Sequence, residues 1–178
     1  MVMDMGRDAE QDVVELSYRP AVEDFASALR ARLRVSRAGR RQFWMIGVLT
    51  VFLLMEVTLL AAGDHDKSPG FVGALAFSCG ILWLSPWLQA RQFHRLAQRQ
   101  GEFRATVTDA GVSLTTDNTT ASVNWTAQPR YRENSRVFVL FSTDRNATGF
   151  TMLPKRGLRT PEDADRLRTI LDRNATRV

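Results

Sequence analysis

Between positions 43 and 88 the chain is almost continuously apolar, in two blocks separated by a polar break. Phe43–Ala62 holds 20 residues with Glu56 as the only charge, and Phe71–Leu88 holds 18 with none. A bilayer core about 30 Å thick takes roughly 20 helical residues at 1.5 Å each. Both blocks therefore predict membrane-spanning helices, the second interrupted at Pro86. The break, GDHDKSPG at 63–70, carries Gly63, Pro69 and Gly70 and predicts a tight connection. The expected unit is a transmembrane hairpin over 43–90, with spans at 43–62 and 71–88.

On either side the period changes. Residues 1–12 are acidic and aperiodic and read as a disordered tail. VVELSY at 13–18 alternates Val14, Leu16 and Tyr18 against Val13, Glu15 and Ser17, a strand pattern that Pro20 ends. Val22, Phe25, Ala26, Leu29 and Leu33 then recur at helical spacing, so residues 13–42 predict a strand and an amphipathic helix. That helix suits either the headgroup layer of a membrane or plain solvent. Downstream, 89–100 continues as a polar helix to Gly101. Six short strands follow at 103–108, 111–116, 120–125, 130–133, 136–142 and 149–153. Thr160, Pro161 and Asp163 mark the start of a last helix with an apolar stripe of Ala164, Leu167, Ile170 and Leu171. With 13–18 as a seventh strand, the fold class is a membrane α+β protein. A two-helix transmembrane hairpin is inserted before a small pleckstrin-homology-like β-barrel or sheet with a C-terminal capping helix. The juxtamembrane helix and this domain occupy 91–178. Counting elements does not fix their topology.

Charge adds direction. The chain carries 22 Arg, 2 Lys and a formal net charge of +5. Arg30, Arg32, Arg34, Arg37, Arg40 and Arg41 precede the first block, and Arg91, Arg95 and Arg99 follow the second. Lys67 is the single cation between them. This asymmetry predicts a multi-pass cell-membrane protein with both termini cytoplasmic.

The strand–turn–strand VTDAGVSL, together with ELSY, SVNW and FTMLPKRGL in this order around a two-span hairpin, resembles the YcxB-like bacterial membrane proteins. The resemblance runs from about Glu15 to Leu171. It implies a cytoplasmic domain similar to bacterial pleckstrin-homology folds and brings no catalytic residues with it.

The residues argue against an enzyme. His65 and His94 fall on opposite sides of the expected membrane and cannot cooperate. Asp64, His65 and Asp66 are three adjacent loop residues, a poor metal set. Cys79 falls mid-span as a small hydrophobe and is the only cysteine. No cofactor, metal or nucleic acid is expected. Trp125 reads as core, and Lys155 and Arg156 as a solvated turn before the last helix. The expected partners are the lipid bilayer and anionic headgroups or a membrane protein.

Two functions fit. In one, the cytoplasmic domain is a non-catalytic binding module at the membrane face. Its anion-facing residues are then Arg30, Arg34, Arg37, Arg41, Arg99, Arg104 and Arg145. In a pleckstrin-homology-like order, the mouth toward the membrane is built from the hairpin, Asp117–Asn118 and Thr143–Thr148. Arg145 then stands at its rim, Arg99 and Arg104 beside the stem, and Lys155 and Arg156 at the far end. In the other, the hairpin is an accessory subunit of a transporter or sensor. An ionised carboxylate in hydrocarbon costs roughly 2.5–3.5 kcal/mol, so Glu56 requires a polar partner. Ser78 is the intramolecular candidate, beside the small pair Ala76 and Gly80, and Glu56 of a second chain is its rival.

Overall fold

The computed structural model describes residues 13–62 and 69–178. The acidic stretch 1–12 and the loop residues 63–68, including His65, lie outside the described residues. The first strand, β1 (Val14–Tyr18), turns Val14, Leu16 and Tyr18 inward and pairs antiparallel with β2 (Phe103–Thr108), Leu16 opposite Ala105. All the helices between them are therefore an insertion between two neighbouring strands. β3 (Gly111–Thr115) and β4 (Thr120–Asn124) complete an antiparallel sheet in the order β1-β2-β3-β4. Gly111 has φ 149°, and a Cβ there would stand 2.4 Å from the Val123 carbonyl oxygen, so the β2–β3 turn requires glycine.

β5 (Arg130–Glu133), β6 (Val137–Phe141) and β7 (Phe150–Pro154) form the second sheet. A two-residue strand, β8 (Thr176–Arg177), joins it parallel to β5 in the order β7-β6-β5-β8. The expected barrel is not closed. One seam is stitched by a single bridge, Leu16 to Leu158, and by the Tyr18 hydroxyl donating to Met152 O at 2.9 Å. At the other seam β4 pairs only with β3.

Helix α1 (Val22–Val35) is not a lipid- or solvent-facing amphipathic helix. Its apolar residues Phe25, Ala26, Ala28 and Leu29 are buried with Val137, Val139, Phe141 and Met152 of the second sheet and with Ala90 and Ala97. Protein, rather than lipid, covers the stripe. On the other face of that sheet Phe138, Leu140 and Leu153 meet β1–β3 and the last helix, α4 (Pro161–Asn174), through Leu167, Ile170 and Leu171. All five residues of β6 are buried because each of its faces has its own core. Burying a side chain such as Leu29 or Phe138 contributes about 1.5–3 kcal/mol. The Thr160 side chain accepts the Asp163 N–H, and the Asp163 carboxylate accepts the Thr160 N–H, so α4 starts at the expected capping box.

Ser36 breaks the helix after α1 and caps α2 (Arg37–Ala61), its Oγ accepting Gly39 N–H at 2.9 Å. The break is tight, since a Cβ on Gly39 would fall 1.9 Å from the Leu33 carbonyl oxygen. α3 (Pro69–Gln98) runs unbroken through Pro86, merging the second apolar block with the polar helix beyond it. Pro86 has no N–H to offer Leu82 O, four residues back. That carbonyl instead accepts the Gln42 side-chain amide of α2 at 2.8 Å and the Ser85 hydroxyl at 2.9 Å. Residues 37–61 and 70–98 are long and apolar enough to cross a membrane, and of α2 only Gly39 and Glu56 are buried.

Candidate functional site

The connection between β6 and β7 is built around one carboxylate. Asp144 is bound by the Ser142 hydroxyl and accepts the backbone N–H groups of Thr148 and Asn146, at 3.1 Å each. These bonds, the Ser142 hydroxyl first, hold its carboxyl down at about 2. Arg130 spans the loop from inside, donating to the carbonyls of Ser142 and Asp144. Ala147 takes a left-handed φ of 46° and is fully buried with the α1 core. The loop is thus fixed at both its base and its tip.

The fixed loop docks on the break between α1 and α2. Arg37 N–H donates to Arg145 O at 3.1 Å, and Arg32 Nε donates to Asn146 O at 3.3 Å. The Arg145 side chain is left exposed beside the exposed Arg37, Arg40 and Arg41 at the first turns of α2. These four surround an open depression of about 900 Å³ that also reaches Trp44, Met45 and Leu82. Among the described residues none of the four makes a salt bridge. Other arginines do, Arg156 with Asp24, Arg159 with Glu15, and Arg168 and Arg177 with Glu133 among them.

The anion-facing residues expected from sequence divide between two ends. Arg145 meets Arg37 and Arg41 where the apolar part of α2 begins, and the exposed Arg30 and Arg34 lie on α1 leading to it. Arg40 belongs to the same face and was readable from its spacing to Arg37 and Trp44. Arg99 lies about 20 Å along α3 from Ser85, at 1.5 Å per residue. There its carbonyl accepts the Asn118 side-chain amide at 3.5 Å, and Gln100 O accepts Asp117 N–H at 3.3 Å. Arg104, beyond it, is 3.7 Å from Glu102. Of the three connections expected at one mouth, Thr143–Thr148 sits at the apolar end of the stem and Asp117–Asn118 at the opposite end.

Lys155 and Arg156 are held in ion pairs. Arg156 is 2.6 Å from Asp24, which is buried and also accepts Ala21 N–H at the start of α1. Lys155 is 2.6 Å from Glu133, which Arg168 and Arg177 also reach, at 2.8 and 3.2 Å. Hydrogen bonds from Arg168, then Lys155, draw the Glu133 carboxyl down to about 2 despite its burial.

Within the helix pair Glu56 is buried, 6% exposed on a helix that is otherwise almost wholly outward-facing. Ser78 lies on an exposed side of α3 and donates its hydroxyl to Ala74 O at 2.8 Å, so the structure does not bring it to Glu56. Cys79 is a half-buried free thiol.

These features define a two-sheet module with a closing helix, carried on two long apolar helices that project from between its first two strands. Residues 107–171, from within β2 to within α4, match the family described as YcxB-like protein, and the chain carries a YcxB-like domain over that segment. No curated protein and no solved structure matches it.

Proposed function

We propose that the protein is a membrane-anchored, non-catalytic binding module whose YcxB-like domain presents a cationic surface to the anionic face of the cytoplasmic membrane. In this reading α2 and α3 cross the bilayer as a hairpin, and both termini and the domain lie on the cytoplasmic side. The nine-to-one excess of cations at the outer ends of the two spans supports that orientation. Seven main strands and a C-terminal helix fit a pleckstrin-homology-like architecture opened along one seam.

One observation carries the reading: Arg37, Arg40, Arg41 and Arg145 converge, free of carboxylates, where the apolar helices leave the domain. Each basic residue at an anionic surface contributes about 1 kcal/mol, and the attraction fades within a Debye length of about 8–10 Å. Arg99, Arg104 and Arg156 are too far along the stem to share it. The acid–base clusters of the domain tie elements together, Asp24 with Arg156 and Glu133 with its three cations, which fits binding better than catalysis. The inward position of Glu56 weighs against the hairpin offering it to a transporter or sensor.

Hydrogen exchange of the full chain in nanodiscs tests the reading. Exchange across 143–148 and 30–41 should slow when phosphatidylglycerol replaces phosphatidylcholine, while 116–119 and 155–159 should not change. Equal exchange at 143–148 in the two lipids would remove its basis.

A further inference from the structure

We propose that one face of α2 seats a single anionic phospholipid. Its phosphate lies among Arg37, Arg40, Arg41 and Arg145, and one acyl chain lies along Trp44, Gly47, Val48 and Val51. The inference deepens the reading above and rests on α2 crossing the bilayer. Positions 37, 40, 41, 44, 47, 48 and 51 recur three and four apart and so share one side of the helix. Along that side the chemistry changes once, from guanidinium to hydrocarbon, at Trp44. An indole at such a boundary meets both the wet and the apolar part of a lipid.

Two depressions follow the same line. The cationic one, of about 900 Å³, and an apolar one, of about 540 Å³, share Trp44 in their walls. The apolar depression is lined by Gly47 with Phe43, Trp44, Val48, Val51 and Phe52. A Cβ on Gly47 would meet no atom within 4 Å, so this glycine opens a groove outward and does not serve contact with α3. From Arg41 to Val51 the helix rises about 15 Å, half of a hydrocarbon core about 30 Å thick. That is the depth of one leaflet, the reach of one acyl chain below its headgroup.

Charge complementarity selects the occupant. Four arginines without carboxylate partners can compensate a phosphate that has no cation of its own. A zwitterionic headgroup brings an ammonium into the same shelf and gains less. The occupant is an anionic glycerophospholipid from the surrounding bilayer.

Native mass spectrometry of the full chain, equilibrated with equal amounts of phosphatidylglycerol and phosphatidylcholine, tests this. The wild type should retain one phosphatidylglycerol in preference to phosphatidylcholine. Arg40→Gln with Arg41→Gln should weaken phosphatidylglycerol binding about 30-fold, from about 1 kcal/mol per residue, and Arg145→Glu should weaken it as well. Gly47→Leu fills the groove without disturbing packing and should lower retention of both lipids while leaving their ratio unchanged. Soluble glycerol phosphate should not displace the lipid. If the wild type prefers phosphatidylglycerol but Gly47→Leu and Arg145→Glu leave retention unchanged, the seat is wrong and the membrane-face reading stands. Displacement by glycerol phosphate would also overturn the seat, because the chain groove would then add nothing. No preference between the lipids would overturn both.

Discussion

Replacing Glu133 by Gln removes the negative charge on which three cations from three other parts of the domain converge. Its carboxylate, on β5, takes Lys155 from the turn after β7, Arg168 from α4 and Arg177 from β8. The folded carboxyl lies at about 2 against an ordinary 4.5, so the ionised form stabilises the fold. That stabilisation is fully present above about pH 4.5 and is lost as pH falls toward 2. Converted in full at about 1.4 kcal/mol per pH unit, the depression would be worth roughly 3 kcal/mol. The cationic partners are 27%, 32% and 57% exposed, so solvent screening reduces this to about 2 kcal/mol. Glu133→Gln should therefore lower urea stability of the full chain in detergent by about 2 kcal/mol at pH 7, followed through the β-sheet circular dichroism signal. The variant should also lose less stability than the wild type between pH 4.5 and 2. Equal stability at pH 7, or parallel acid losses in both proteins, would refute the assignment of this cluster as a structural tie.

Gly39→Ala should destabilise the α1–α2 break by about 2 kcal/mol or more, because its Cβ would lie 1.9 Å from the Leu33 carbonyl oxygen; trypsin sensitivity at Arg37 and Arg40 would report the opening. Gln42→Leu removes an interhelical amide from Leu82 O beside Pro86 and should cost about 0.6 kcal/mol. Thermal melting in micelles would measure it, and Ser85→Ala in the same background should cost more than Ser85→Ala alone. Tyr18→Phe removes the hydroxyl that holds Met152 O across the stitched seam and should cost about 1 kcal/mol, with faster amide exchange along β7.

Much of this molecule was readable from periodicity. The two apolar blocks, the six strand positions and the Thr160 cap depend on local pattern, and Leu16 and Tyr18 marked β1 by simple alternation. The features that escaped depend on distant partners. An apolar stripe such as Phe25–Leu29 has the same spacing whether lipid or a sheet covers it, and only β6, apolar at five consecutive positions, hinted at a second core. Pro86 reads as an interruption until Gln42 of another helix takes over the carbonyl it leaves. β8 has two residues and no period. The cationic site was legible in part: chain order pointed to Arg145 beside the hairpin. It also put Arg99 and Arg104 beside the stem, and they stand at its opposite end from Arg145, a separation that chain order does not carry.

The orientation of the domain on the membrane is the claim on which the functional account turns. Single fluorescent labels on Cys79→Ala chains carrying a cysteine at 145, 117 or 156, in vesicles containing headgroup-quencher lipids, measure it directly. Strong quenching is expected at 145 and little at 117 or 156. Quenching at 117 or 156 that equals or exceeds that at 145 would contradict it.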